Sequence, residues 1–243
     1  MMEALSVPLY HGTSTLFLSG IREHGLGGDN PLTRWRVLEF AHRLWPLVAT
    51  HLAREDDWML QAQAFEWMCE QRSSNFNFQH GHAYLSPSEQ TAVRYSVGTR
   101  YGSELLSYTL ELLGELVRRN VVRESEFAEH AELFKLLRRS FAPILIEVSN
   151  VLPKSLLDEC GGDPRRNLEQ MTEIFATCEL DLAQCMLQQT NFRLSKAVPL
   201  ADLSFWLLDL GGCEHSLREV SKHLIYVHGS RNGGMEASSR AAA

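Results

Sequence analysis

Two stretches of the chain hold the side chains best suited to binding a small molecule. Residues 9–26 read LYHGTSTLFLSGIREHGL and contain a His-Gly-Thr run at residues 11–13. Residues 83–96 read AYLSPSEQTAVRYS and place Tyr84 and Tyr95 eleven positions apart, which is about three helical turns. Imidazole, hydroxyl and phenol groups form hydrogen bonds, and phenol faces attract cations. These stretches are therefore the candidate site.

Common cofactor and catalytic motifs are absent from the sequence. Gly25, Gly27 and Gly28 lack the G-x-G-x-x-G spacing of a dinucleotide cradle, and neither a Walker A pattern nor a G-x-S-x-G elbow occurs. His80 and His82 supply only two imidazoles, and no third ligand is suitably spaced. We therefore predict no metal site.

Charge and cysteine content limit the classes of partner and location. Lys and Arg number 23 against 30 Asp and Glu, so the net charge of −7 disfavours bulk nucleic acid and favours a small ligand or a protein. Five scattered cysteines form no C-x-x-C pair, which is typical of reduced thiols. The first ten residues do not resemble a signal peptide, and no run of eighteen apolar residues follows. We expect a cytoplasmic protein without a membrane span.

The two stretches resemble motifs of the ADP-ribosyltransferase superfamily. The similar branch is named for a His-Tyr-Glu triad and includes poly(ADP-ribose) polymerase catalytic domains and diphtheria-type toxins. The first motif is matched by an aromatic-His-Gly-Thr tetrad at residues 10–13, followed by Gly20-Ile21 and Gly25-Leu26. The second motif is a strand with the triad tyrosine, matched by Tyr84, and a helix with another tyrosine, matched by Tyr95.

The third family motif is present without its glutamate. NFRLSKAVPL, at residues 191–200, resembles the late strand that begins with the catalytic glutamate and ends in an apolar-Pro-apolar segment. The family's spacing places Asn191 where the glutamate would stand and Gln189 two residues before it. No carboxylate occurs between Asp181 and Asp202. The resemblance therefore implies a variant of the H-Y-E motif.

The resemblance implies NAD as co-substrate and assigns two sets of site residues. The catalytic set is His11, Tyr84 and Asn191. The NAD-binding set is His11, Gly12, Thr13, Tyr84, Tyr95 and Gln189.

Each role follows from the chemistry of the bond between nicotinamide and ribose. Its cleavage develops positive charge on the ribose. By resemblance, Tyr84 and Tyr95 would sandwich the nicotinamide, and the Gly12 backbone would bind its carboxamide. His11 and Thr13 would bind a ribose hydroxyl of the adenosine half. Asn191 could accept a ribose hydrogen bond but supplies no charge, and losing a charge-assisted contact typically costs about 2.7 to 4 kcal/mol. The resemblance implies mono-ADP-ribosyl transfer to an acceptor, with nicotinamide release and no chain elongation.

Other functions stay open at this point. The domain could be catalytically inactive and bind NAD, ADP-ribose or a protein, or it could be an adaptor built on Trp-rich helices. A tRNA 2′-phosphotransferase-like enzyme also uses a His-Gly-Thr run and NAD, but the acidic chain lacks a clear arginine array for a phosphorylated RNA. We expect the acceptor to be a protein rather than a nucleic acid. Toxins and injected effectors of this superfamily share the scaffold. An antitoxin or a regulator is therefore compatible as a partner, and so is delivery of the protein to a host cytosol.

The order of the predicted strands and helices around these residues indicates an α+β fold, because short strands are separated by mixed helices. With the resemblance, this becomes a split antiparallel β-sandwich around an NAD cleft, in one domain over residues 1–228. We expect helical insertions at about 29–80 and 103–140, and a disordered tail at 229–243.

Local patterns predict the individual elements. We expect a strand that ends in a turn at residues 11–13, a strand at 143–149, and two strands of one sheet system in NFRLSKAVP and LSFWLLDL. Helices are expected from Pro31, from Trp58 to Met68, after Ser88, and over 103–119, 124–139, 163–188 and 214–222. The tryptophans with apolar periodicity are expected to be packing residues: Trp35, Trp45, Trp58 and Trp67.

Overall fold

The computed structural model describes residues 3–70, 81–210 and 220–227. Within these ranges, strands form two antiparallel sheets and helices pack around them. The predicted α+β class is confirmed. Every helix in these ranges is too short or too polar to span a bilayer.

The larger sheet has four strands in the order β1-β3-β6-β7, and the smaller has three in the order β2-β5-β4. The strands are β1 (Leu9–Ser14), β2 (Tyr84–Leu85), β3 (Pro143–Val148), β4 (Leu156–Asp158), β5 (Phe192–Leu194), β6 (Leu203–Asp209) and β7 (Ser221–Ile225). Side chains of both sheets share one core, which includes Leu85, Ile146, Phe192 and Phe205.

Helices connect and cover the sheets. They are α1 (Leu18–His24), α2 (Pro31–Arg34), α3 (Val37–His51), α4 (Met59–Glu70), α5 (Glu89–Gly98), α6 (Glu104–Arg118), α7 (Ala131–Leu137), α8 (Arg165–Thr177) and α9 (Leu180–Met186). Helix α6 confirms the helix predicted over 103–119, and Ser88 caps α5 as expected because its hydroxyl accepts a hydrogen bond from the Thr91 N–H.

The two predicted helical insertions form one helical layer. Phe40 and Leu44 of α3, Phe65 of α4 and Leu110 of α6 are fully buried in one core. Trp35, Trp45 and Trp58 pack against this core, as their periodicity predicts. Helices 31–70 and 104–137 therefore support each other.

Three predicted helices are shorter than expected. The helix beginning at Pro31 breaks at Arg36, which has a left-handed φ of 52°. The helix predicted over 124–139 is a 3-10 segment followed by α7, because Phe127 leaves helical geometry at φ −132° and stacks edge-on against Phe40. The helix predicted over 163–188 is broken by extended backbone at Cys178.

The His-Gly-Thr run lies inside β1, so the turn predicted at residues 11–13 is wrong. His11 pairs with Ile146 and Gly12 with Leu145 in an unbroken register with β3. A glycine inside a strand marks a close approach by another backbone. The partner here is α5, which packs on the outer face of the larger sheet.

The late strands also differ from expectation. NFRLSKAVP supplies β5 and LSFWLLDL supplies β6, which belong to different sheets rather than to one. The chain crosses between the sheets near Val198, which pairs with Leu26. The strand predicted at 143–149 is confirmed as β3. The helix predicted at 214–222 lies mostly outside the described residues, but Ser221 and Lys222 are in β7. The predicted tail at 229–243 also lies outside them.

Helix α5 can lie on β1 only because residue 12 has no side chain. A Cβ at Gly12 would stand 1.9 Å from the Ala92 carbonyl oxygen and 3.0 Å from the Ser96 backbone nitrogen. Overpacking a core typically costs about 1 to 3 kcal/mol. We expect Gly12→Ala to lower the free energy of unfolding by about 3 kcal/mol or more, because the clashing atoms belong to the backbone and cannot move aside as a flexible side chain can. Urea unfolding measures this loss.

Gly20→Ala is the matched control in the same motif. Its nearest neighbour would be the Asp29 Oδ2 atom at 3.6 Å, an ordinary contact, and the residue lies within α1. Alanine in a helix is more stable than glycine by about 0.5 to 1 kcal/mol, so Gly20→Ala should not lower the free energy of unfolding. A Gly12→Ala variant as stable as the wild type would show that α5 does not lie on β1 in this way.

Candidate functional site

A cleft opens where the two sheets separate. Tyr10 of β1 and Ser86, just after β2, exchange two backbone hydrogen bonds of 2.8 Å. Within the part of the chain that the structure describes, this bridge pairs β1 with the end of the smaller sheet, since β1 otherwise pairs with β3 and β2 pairs with β5. The cleft beside the bridge has a volume of about 340 Å³, within the range of small-molecule sites. It is lined by His11, Gly12, Thr13, Tyr84, Tyr95 and Asn191, among others.

The imidazole of His11 is held across the cleft by Tyr84. His11 Nδ1 lies 2.8 Å from the Tyr84 carbonyl oxygen. A carbonyl can only accept, so Nδ1 carries the proton. Burial lowers the pKa of His11, more than the Tyr84 hydrogen bond raises it, so the ring is neutral at pH 7. Its Nε2 atom can therefore accept a hydrogen bond from a ligand hydroxyl.

Gly12 offers a backbone donor and acceptor to the cleft. Both polar groups of a strand residue point to the same edge, and successive residues alternate between edges. Tyr10 directs its N–H and carbonyl away from β3 and onto Ser86, so Gly12, two residues on, also directs its pair away from β3. This donor-acceptor pair matches a carboxamide. The missing side chain itself serves the packing of α5, a reason that the sequence did not reveal.

Thr13 has a structural role that the resemblance did not imply. Its hydroxyl donates to the Gly102 carbonyl at 3.0 Å, and its own carbonyl accepts from Ser96 Oγ at 2.6 Å. The side chain is 2% exposed. Thr13 lines the cleft, but its hydroxyl proton is used to hold the turn before α6.

The two predicted tyrosines are brought to the same cleft from different elements. Tyr84 is half-buried on β2, while Tyr95 lies on α5 and reaches the cleft beside the edge strand β1. Tyr95 is 37% exposed overall, but its hydroxyl end is enclosed and accepts a hydrogen bond of 3.3 Å from the Glu104 N–H. Burial, followed by the charges of Glu104 and Tyr84, raises the pKa of the Tyr95 hydroxyl, so this phenol stays neutral at pH 7.

Asn191 reaches the site and Gln189 does not. Asn191 lines the cleft next to β5, and two bonds fix the chain before it: Ser86 Oγ to the Thr190 carbonyl at 3.3 Å, and Thr91 Oγ1 to the Gln188 carbonyl at 3.0 Å. Gln189 is exposed and does not line the cleft. Of the two residues predicted to orient a ribose, the structure brings only Asn191 to the other site residues.

A second backbone bridge joins the Gly-Leu pair of the first motif to the Val-Pro-Leu segment of the third. Leu26 and Val198 exchange two backbone hydrogen bonds of 2.9 Å. Gly25 precedes this bridge with φ 78°, and a Cβ there would stand 2.4 Å from the Val198 carbonyl oxygen. The Gly-Leu pair of the first motif therefore docks directly on the Val-Pro-Leu segment of the third.

Three carboxylates also line the cleft, and sequence reasoning missed them. They are Asp29, Glu104 and Glu159. Glu104 begins α6 in a segment that matched no motif, and the turn held by Thr13 brings it to the cleft. Its only sequence signal was its place at the start of the helix predicted over 103–119. Among the lining residues that the structure describes there is no lysine or arginine.

Comparisons with protein-family models, curated proteins and solved structures find no match to this chain. In the described ranges, no group of three histidine, cysteine or acidic side chains is arranged to hold a metal ion. Any argument about function therefore depends on the geometry of the cleft.

The tautomer of His11 tests this geometry directly. We expect ¹⁵N-edited NMR of imidazole-labelled protein at pH 7 to show a neutral His11 ring protonated at Nδ1, because Nδ1 donates to the Tyr84 carbonyl and burial lowers the pKa. His11→Ala assigns the signal by its loss. A charged ring at pH 7, or a proton on Nε2, would contradict the described contact between β1 and β2.

Proposed function

We propose that the chain is a mono-ADP-ribosyltransferase that moves ADP-ribose from NAD to an acceptor and releases nicotinamide. One observation carries the proposal: His11, Tyr84, Tyr95 and Asn191, from three distant segments, line one cleft at the point where the two sheets separate. Packing alone would not require polar residues of these types to converge beside an opening.

The cleft offers complementary partners for the nicotinamide and for a ribose of NAD. The outward N–H and carbonyl of Gly12 would bind the carboxamide, and the faces of Tyr84 and Tyr95 would flank the ring. The neutral His11 would accept a hydrogen bond from a ribose hydroxyl through Nε2. The ligand would then be oriented by residues of β1, β2 and α5.

The charge distribution favours the cationic end of NAD inside the cleft. Asp29, Glu104 and Glu159 surround an opening whose described lining holds no lysine or arginine. Carboxylates stabilise a pyridinium and the positive charge that develops on ribose, but they repel a pyrophosphate. The phosphates would therefore lie at the outer rim, where Arg34 pairs with Asp29 at 3.5 Å.

One observation favours a second function, an inactive module that binds NAD or ADP-ribose. Asn191 provides an amide where the similar family has a carboxylate. An amide can orient a ribose hydroxyl but cannot take a proton. The tRNA 2′-phosphotransferase alternative is less favoured, because a 2′-phosphate in this cleft would face carboxylates rather than arginines.

Nicotinamide release from NAD tests the proposal. With cell lysate as the acceptor source, we expect wild-type protein to release nicotinamide and to label a target with ADP-ribose. His11→Ala and Tyr84→Ala should each lower the rate at least about 100-fold, because each removes a group that orients the reacting bond. Chromatography of nicotinamide and intact-mass spectrometry of targets measure the two products.

Matched variants outside the cleft serve as controls. His51 is exposed at the end of α3 and Tyr226 is 61% exposed, so His51→Ala and Tyr226→Ala should keep full activity. Binding of NAD by calorimetry without any release would favour the inactive module. Label transfer that survives both His11→Ala and Tyr84→Ala would rule out this site.

A further inference from the structure

Glu104 is held in the wall of the cleft by contacts on both sides of it in the chain. Just before it, Gly102 has φ 75°, and its carbonyl accepts the Thr13 hydroxyl. At Glu104 itself, the backbone N–H donates to the Tyr95 hydroxyl. These contacts fix the start of α6 between β1 and the tyrosine predicted to flank nicotinamide.

The carboxylate of Glu104 is chemically available. Among the described residues it accepts no hydrogen bond and forms no ion pair, and the side chain is exposed at the mouth of the cleft. The titratable groups facing it are Tyr95 of α5, Tyr108 of α6 and Glu159 after β4. Partial burial of the carboxyl group against the cleft walls, and then the charge of Glu159, raises the pKa of Glu104. A raised pKa makes a carboxylate a stronger base.

We propose that Glu104 is the catalytic carboxylate of this cleft and takes the role that the amide of Asn191 cannot perform. The inference rests on the proposed function. It differs from the similar family in where the carboxylate originates: the start of α6, in the second helical insertion, instead of the strand that follows residue 191.

The reaction balances with Glu104 as base. The bond between ribose C1′ and the nicotinamide nitrogen breaks, and its electron pair leaves with nicotinamide, which becomes neutral. The Glu104 carboxylate stabilises the positive charge on the ribose. An acceptor hydroxyl forms the new bond to C1′ and gives its proton to Glu104, which later releases it to water. With a base in the cleft, the acceptor need not bring a carboxylate of its own.

Glu104→Gln tests the assignment, because glutamine keeps the backbone contact to Tyr95 and most of the side-chain shape. We expect the rate of nicotinamide release to fall at least about 100-fold, with the Kd for NAD from calorimetry little changed. Glu111→Gln is the matched control: it lies on the same helix, is exposed and does not line the cleft, so it should keep the wild-type rate.

The pH profile separates a base from a merely structural residue. The base must be deprotonated, so the wild-type rate should rise with pH through the pKa of Glu104. Glu159→Gln removes a like charge that raises this pKa, so the rise should move to lower pH. Glu104→Gln should lose the rise. In the double variant Glu104→Gln, Asn191→Glu, a carboxylate returned to the cleft should restore part of the rate.

The outcomes distinguish the two proposals. Wild-type protein that binds NAD but releases no nicotinamide overturns the proposed function, and this inference with it. Active wild-type protein whose Glu104→Gln variant keeps its rate overturns the inference alone, as does a pH profile that Glu159→Gln leaves in place. These last two results do not depend on each other, so a poorly folded Glu104→Gln variant would still leave a decisive measurement.

Discussion

The site depends on the contact between α5 and β1 at Gly12. Residues Tyr10 and Gly12 face the helix, while Leu9 and His11 face the other sheet, so one strand serves both the packing of α5 and the lining of the cleft. With α5 close to the strand, Ser96 can bond to the Thr13 carbonyl and Tyr95 can reach the cleft. A side chain at residue 12 would push the helix outward and carry Tyr95 away from Tyr84.

The helical layer completes the site as well as covering the sheets. Helices α3, α4, α6 and α7 share a core, so the start of α6 is anchored from behind. In front, the turn held by Thr13 and the hydrogen bond to Tyr95 set its position. The segments that matched no motif therefore supply a wall of the cleft and, in our proposal, its catalytic carboxylate. The absence of a glutamate at residue 191 is then compatible with the proposed transfer of ADP-ribose.

Much of this could be predicted from local sequence. Apolar periodicity predicted α6, and β-branched residues predicted β3, because one face of each is buried and the pattern follows from that face. The resemblance to the ADP-ribosyltransferase motifs also indicated His11, Tyr84, Tyr95 and Asn191, which line the cleft. The strand at residues 11–13 was missed because its pairing with β3 is long-range. The roles of Thr13, Gln189 and Glu104 were likewise invisible, since each is set by how distant segments fold against one another.

The central claim is that nicotinamide lies between Tyr84 and Tyr95 with its carboxamide on the Gly12 backbone. A crystal structure of the protein with a non-hydrolysable NAD analogue tests this most directly. The account predicts the pyridine ring flanked by both phenols, hydrogen bonds from the carboxamide to the N–H and carbonyl of Gly12, and a ribose hydroxyl on His11 Nε2. An analogue bound elsewhere, or a ring that contacts neither tyrosine, would contradict it.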